Sequence, residues 1–248
     1  MEKQNTAIIL QVRMGSTRLP HKVLLPFFEQ KSILDIILEK LSFTNPVIIA
    51  TTTNIMDDVI EQYAIEHDLK CFRGSEDDVL ARFIAAAEFY NYSKMIRICS
   101  DNPFLDKQAL QQLFETGKNT DVDYIGFQVN NLPAIKTHFG FWAEWVSVEA
   151  LQRVATMTEN SFYHEHVTNY IYEHPHLFKI QWLDVDNCLK NRQNIRLTID
   201  TVEDFERASQ IYANCKQEEM SIPNLIQYLD KNPEFIQSME NSINQNKK

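Results

Sequence analysis

The chain contains no apolar run approaching the roughly 18 to 20 residues of a membrane span. Its opening, MEKQNTAIILQV, also lacks the extended apolar core of a secretory signal. The four cysteines, Cys71, Cys99, Cys188 and Cys215, lie far apart, with no C-x-x-C pair and no His/Cys metal spacing. That argues against a zinc ribbon or a disulfide framework and leads to the expectation of a reduced, cytoplasmic protein. Positive charge is scarce: Lys+Arg 24 against Asp+Glu 34, a net charge of −10. With no basic stripe either, neither nucleic acid nor an anionic membrane is an expected partner, because phosphate-rich surfaces reward clustered positive charge. An anionic ligand would have to be captured by a local patch. No internal repeat is visible.

What is present reads as a globular domain. The 248 residues, 44% apolar and 23% charged, suffice for a substantial core. Short apolar runs at 7–12, 47–50, 71–72, 95–99 and 124–127 read as strands. Between them, residues 33–41, 57–67, 76–90 and 107–116 carry helical periodicity. Such alternation predicts an α/β fold with a doubly wound, mainly parallel sheet, which binds ligands beyond the carboxyl ends of its strands. From residue 133 the rhythm changes. Aromatics cluster at 139–145, a helix is expected over 162–172, strands over 178–183 and 195–199, and a helix over 202–214. The expected organisation is one domain over 1–232, with 133–190 an inserted acceptor or dimer lobe, and a polar, frayed tail over 233–248.

After the first strand comes QVRMGSTRLPHKVL, residues 11–24, with three Arg or Lys side chains and no acid between Glu2 and Glu29. Backbone N–H groups in a small-residue loop can wrap an anion, and nearby Arg and Lys add charge-assisted bonds. Gly15 permits close approach or a positive φ. The spacing is neither a Walker loop nor G-x-G-x-x-G. The alternative is a solvated loop whose bases pair with nearby acids, and the absence of local acids counts against it. Asp101, in SDNP, and Asp200, in IDT, each follow an apolar run. Singly, each suits a turn or a helix cap. Together, at the ligand edge of a parallel sheet beside an anion loop, they are candidate Mg²⁺ ligands, since Mg²⁺ favours one or two carboxylates plus water and substrate phosphates.

Six blocks in order carry a family resemblance: RMGSTRLPHKVL, ATTTNIMDD, FRGSEDDVLARF, RICSDNPFLD, HEHVTNYIYEHP and RLTIDTVEDFE. They resemble the cytidylyltransferase superfamily that makes CMP-activated sugars, most nearly its spore-coat polysaccharide biosynthesis protein F branch. The resemblance implies transfer of CMP from CTP to a small acceptor with release of pyrophosphate, for surface glycan or envelope assembly, in a homodimer. By the same resemblance, Gln11, Val12 and Arg13 would face the base and Gly15, Ser16 and Thr17 would wrap phosphates. Arg13 and Lys22 would neutralise them and stabilise the leaving pyrophosphate. Ser75, Arg82 and Ser100 would frame the nucleotide, and Asp101 and Asp200 would hold Mg²⁺.

Glu165 is the implied acceptor-site carboxylate. His164 and His166 are adjacent to it but share no helix face with it, which disfavours a common metal. In GFWAEWVS, at 140–147, Glu144 is kept while Trp142 stands where relatives often have an aspartate. Either Trp142 is a core or dimer contact, or the acceptor pocket has changed. His21 departs from the usual glycine. Two rivals remain: a sugar-1-phosphate nucleotidyltransferase using another NTP, and a nucleotide-binding protein without catalysis.

Overall fold

The computed structural model describes residues 4–41, 46–118, 120–215 and 220–245. Chain order begins with β1 (Gln4–Gln11), a two-stranded ribbon of β2 (Pro26–Phe28) and β3 (Lys31–Ser32), and α1 (Ile33–Leu41). It continues through β4 (Val47–Thr52), α2 (Asp58–Glu66), β5 (Lys70–Gly74), α3 (Val79–Phe89), β6 (Tyr92–Cys99), α4 (Lys107–Gly117), β7 (Tyr124–Val129) and β8 (Leu132–Pro133). The last elements are β9 (Glu144–Ser147), α5 (Val148–Met157), α6 (Ser161–Glu165), α7 (Asn169–Glu173), β10 (Ile180–Asp184), α8 (Val202–Asn214), α9 (Ile222–Lys231) and α10 (Pro233–Gln245).

The central sheet runs β10-β7-β9-β6-β1-β4-β5, with β8 paired to β7. Its pairings are parallel except around β9, which is antiparallel to both β6 and β7, and at β8. Strands buried on both faces explain the near-continuous apolar runs. On β1, Ile8 and Leu10 enter the core shared with α1, α4 and α8, while Ala7 and Ile9 enter the core shared with α3 and α5. The carboxyl ends of β1 and β6 lie side by side, Gln11 in register with Cys99. The loops that follow these two strands therefore meet.

Three expectations are corrected. Residues 133–190 form no inserted lobe, because β9 lies between β6 and β7 and β10 flanks β7, both inside the main sheet. β9 is four residues long with Glu144 buried among its apolar neighbours, so it lacks a strand's usual apolar alternation. The helix expected over 162–172 is two short helices, α6 and α7, separated at His166, Val167 and Thr168. Residues 195–199 are extended but join no ladder. Leu197 and Thr198 donate to the His138 carbonyl, and Ile199 donates to that of Asp101.

The polar tail is also corrected over its described part. α10 packs on α8 and α9 and fully buries Met239. Arg207 of α8 donates to both Ser238 and Ser242. Residues 246–248 lie outside the described residues.

Candidate active site

The cationic loop closes on the peptide groups of Met14. The Met14 carbonyl accepts from Ser16 N at 2.9 Å and from His21 N at 3.1 Å. The Met14 N–H donates to Asp57 Oδ1 at 2.7 Å. Asp57 is buried at the start of the α2 region, and its other oxygen accepts from the Thr52 hydroxyl at the end of β4. A carboxylate beneath a cationic loop thus fixes its backbone from behind. His21 adopts φ 64°. This left-handed conformation is open to glycine without cost and more accessible to Asn, Asp and His than to most residues, so His21 can occupy a position where the family resemblance implies glycine. Gly15 has no positive φ, and the protein around it leaves room for a side-chain carbon. A Cβ there would meet Glu76 Oε1 at 3.8 Å and Met56 Cε at 3.9 Å.

Above the carboxyl ends of β1 and β6 is a cleft of about 390 Å³ lined by Gln11, Arg13, Ser16, Thr17, Arg18, Lys22, Ser100, Asp101, Glu165 and Asp200. Val23, Arg97, Cys99 and His166 complete the lining. Lys22 Nζ stands 3.9 Å from Asp101 Oδ2 and 4.0 Å from Asp200 Oδ1, and donates to the Ile199 carbonyl at 2.5 Å. Arg18 Nη2 lies 3.1 Å from Asp200 Oδ1. Burial raises the pKa of Asp101 and the nearby Asp200 charge adds to this, while the Lys22 ammonium opposes it.

Asp200 is aimed from behind. Arg196, 2% exposed, binds Asp204 through Nε and Nη2 at 2.9 Å each and reaches Asp200 Oδ2 at 2.7 Å. Asp204 belongs to the Thr201 capping box that starts α8. A helix start thereby sets the direction of a cleft carboxylate.

Arg82 is 1% exposed, and its Nη1 donates to the Ser75 carbonyl. Its Nε and Nη2 have no partner among the described residues. Burial, with the charge of nearby Arg13, pulls the guanidinium down to about 10. A buried guanidinium with unmatched donors near a second arginine favours an anion. The Ser75 hydroxyl accepts from Asp78 N at 3.0 Å, and Asp78 itself caps α3. Neither Ser75 nor Arg82 lines the cleft.

Three site expectations change. Val12 is fully buried, and its N–H donates to the Ala50 carbonyl, so that donor does not face a ligand. Glu144 is 2% exposed and behind the cleft, accepting from Arg97 Nη1 (2.6 Å), Tyr124 Oη (2.7 Å) and Thr168 Oγ1 (2.9 Å). Trp142 packs against Phe127, Phe139 and Phe141 and touches a different cavity, on the α4 and β10 side. It is a core tryptophan.

The sequence reading assigned no site role to Asp57, Arg97 or Arg196. Arg97 left a readable trace: a charge at an inward position of the apolar strand YSKMIRIC demands a buried partner. Asp57 and Arg196 left none, because their partners are 43 residues away in the first case and a helix cap in the second. His164 joins α6 to the start of α3. Its Nδ1 lies 2.7 Å from Asp78 Oδ2 and its Nε2 lies 2.9 Å from the Thr158 carbonyl.

The family model described as cytidylyltransferase matches residues 7–240. The chain belongs to the cytidylyltransferase family. It is 34% identical over 243 residues to the spore coat polysaccharide biosynthesis protein SpsF of Bacillus subtilis, covering 94% of this chain and 97% of that protein. It is 34% identical over 240 residues to an uncharacterised protein of Methanocaldococcus jannaschii, covering 96% and 95% respectively. A solved cytidylyltransferase from Leptospira borgpetersenii superposes with a TM-score of 0.81 at 29% identity, covering 96% of this chain and 98% of its own. As a family member the chain is a nucleotidyltransferase. Among its described residues no helix is long and apolar enough to cross a membrane.

Proposed function

We propose that this cytidylyltransferase transfers CMP from CTP, with Mg²⁺, to a small sugar, sugar-acid, phosphorylated or phosphonate acceptor and releases pyrophosphate, in surface glycan or envelope biosynthesis. The observation that carries the reading is the convergence of Asp101 and Asp200 on one cation, the Lys22 ammonium, at 3.9 and 4.0 Å. Two oxygen-only ligands, with no third metal-ligating side chain beside them among the described residues, fit Mg²⁺ completed by water and phosphate. The ion supplies charge neutralisation at the reacting phosphate.

The chain's own groups then account for alignment. Arg13, Arg18 and Lys22 surround the space between the loop and the two carboxylates, where they hold the triphosphate and neutralise the departing pyrophosphate. Gln11 lines the cleft with a buried Oε1 that lacks a partner among the described residues, which suits a donor on the nucleotide such as the exocyclic amine of cytosine. Arg82 adds its free nitrogens behind Arg13. Glu165 stands at the acceptor side. The cytoplasmic setting expected from the scattered cysteines and the homodimer implied by the resemblance belong to the same proposal, and light scattering measures the second.

The test is melting temperature with CTP, UTP, GTP and ATP, with and without Mg²⁺. A nucleotide at about one hundred times its Kd adds roughly 2.7 kcal/mol, a rise of several degrees for a chain this size. A rise with CTP that Mg²⁺ enlarges is expected. A larger rise with another nucleotide would move the assignment to a different nucleotidyltransferase, and none at all would remove the triphosphate site. Asp101→Asn should retain the fold and lose pyrophosphate release by orders of magnitude; near-parental turnover would sink the assignment.

A further inference from the structure

The cleft has two sides. The cationic loop lines one, while β6, through Arg97 and Cys99, and the α6–α7 break, through His166, line the other. Arg97 is the charged side chain of that second side. It is 8% exposed, lines the cleft, and lies over the Phe83 ring at 5.7 Å. Its Nη1 binds Glu144, directly opposite on β9, while its Nε has no partner among the described residues.

Glu144 does not need Arg97 for all of its bonding, because Tyr124 and Thr168 also donate to it. Thr168 belongs to the break between α6 and α7, two residues after His166 of the cleft wall. One buried carboxylate therefore holds a cleft arginine and the α6–α7 break in fixed relation. A guanidinium offers five N–H donors in a planar fork suited to carboxylate and phosphate, and burying one with a nitrogen unmatched is costly. Such a group beside a cleft is a built anion receptor.

We propose that Arg97 is the specificity-determining residue of the acceptor subsite, and that the acceptor carries an anionic oxygen group, carboxylate or phosphoryl, that docks on it. This deepens the cytidylyl-transfer reading and rests on it. Glu165 and His166, which line the cleft together with Arg97, face the polar remainder of the acceptor. A neutral sugar lacks the group that Arg97 requires and is rejected. Glu144 acts as a positioning residue behind Arg97 and touches no substrate.

The test uses the full chain loaded with CTP and Mg²⁺, to which methylphosphonate, acetate or neutral acetamide is added while melting is followed. At least one anion should raise the melting temperature and acetamide should not. Arg97→Gln should abolish the anion increment while keeping the CTP increment. A response to methylphosphonate alone assigns a phosphoryl acceptor, and a response to acetate alone assigns a carboxylate.

Arg97→Gln leaves Glu144 buried without its cation and can fail to fold. The double variant Arg97→Gln/Glu144→Gln removes both charges and gives the same readout. In pyrophosphate release, Arg97→Lys should weaken kcat/KM for anionic acceptors by roughly 30-fold or more while sparing CTP affinity. Equal anion increments in parent and variant, no anion response at all, or turnover of a neutral sugar as fast as its anionic counterpart would overturn the assignment. Failure of CTP itself to raise the melting temperature would instead overturn the cytidylyl-transfer reading beneath it.

Discussion

Replacing Asp57 by alanine tests how the nucleotide loop is held. The carboxylate is 2% exposed and accepts from the Met14 N–H and the Thr52 hydroxyl, on residues 7% and 0% exposed. Removing it leaves two buried donors unpaired, at about 1–3 kcal/mol each, offset in part because a buried charge no longer has to be desolvated. A net loss near 3 kcal/mol follows, which lowers the melting temperature by roughly 6–12 °C for a chain of this length. Asp57→Asn keeps one acceptor and loses the charge assistance, so its loss should be about 1 kcal/mol.

Because Met14 also receives Ser16 and His21, freeing its amide loosens the whole loop. Nucleotide affinity should therefore fall alongside stability, with the alanine variant lower than the asparagine variant in both. Differential scanning calorimetry and nucleotide titration measure the two. An alanine variant that melts with the parent, or one that is destabilised but binds nucleotide as tightly, would refute the claim that Asp57 anchors the loop.

At His21, glycine should be tolerated with a stability change within about 1 kcal/mol, whereas valine at φ 64° should cost about 1–2 kcal/mol; chemical denaturation distinguishes them. His164 faces an acceptor at each ring nitrogen, the Thr158 carbonyl first and the Asp78 carboxylate second, and both raise its pKa. A group raised on folding contributes stability that is fully present below its unfolded pKa of about 6.5 and is lost as pH rises through the folded value. The melting temperature should accordingly show a decrement above about pH 6.5 that His164→Asn lacks, and superimposable pH profiles would remove the clasp. Met239→Ala, at a fully buried position of α10, should cost about 2–5 kcal/mol in urea unfolding. A negligible cost would return residues 233–245 to the status of a tail.

Much of the fold was legible because a parallel sheet buried on both faces writes itself as apolar runs separated by helical periodicity. Helix α8 lies over Val202–Asn214, where its Thr201-x-x-Asp204 cap and 3.6-residue pattern place it. The loop and both aspartates were legible too, because their types and their positions after apolar runs are local properties. The other errors share a cause. β9 was hidden because its pairing partners lie far along the chain and its buried glutamate imitates a site residue. α10 was hidden because its apolar face is narrow and only α8 and α9 show that it is covered.

The sequence by itself determined the strand and helix alternation, the cationic loop without acids, and the residue types able to hold an anion and a divalent ion. Tertiary structure alone decided that Glu144 supports Arg97 from behind, that Trp142 fills a core, that Asp57 grips Met14 across 43 residues, and that Lys22 stands between two aspartates from different loops. The division is physical. Periodicity and charge are carried by neighbouring residues, whereas burial and hydrogen-bond partnership are fixed only when distant segments pack against one another.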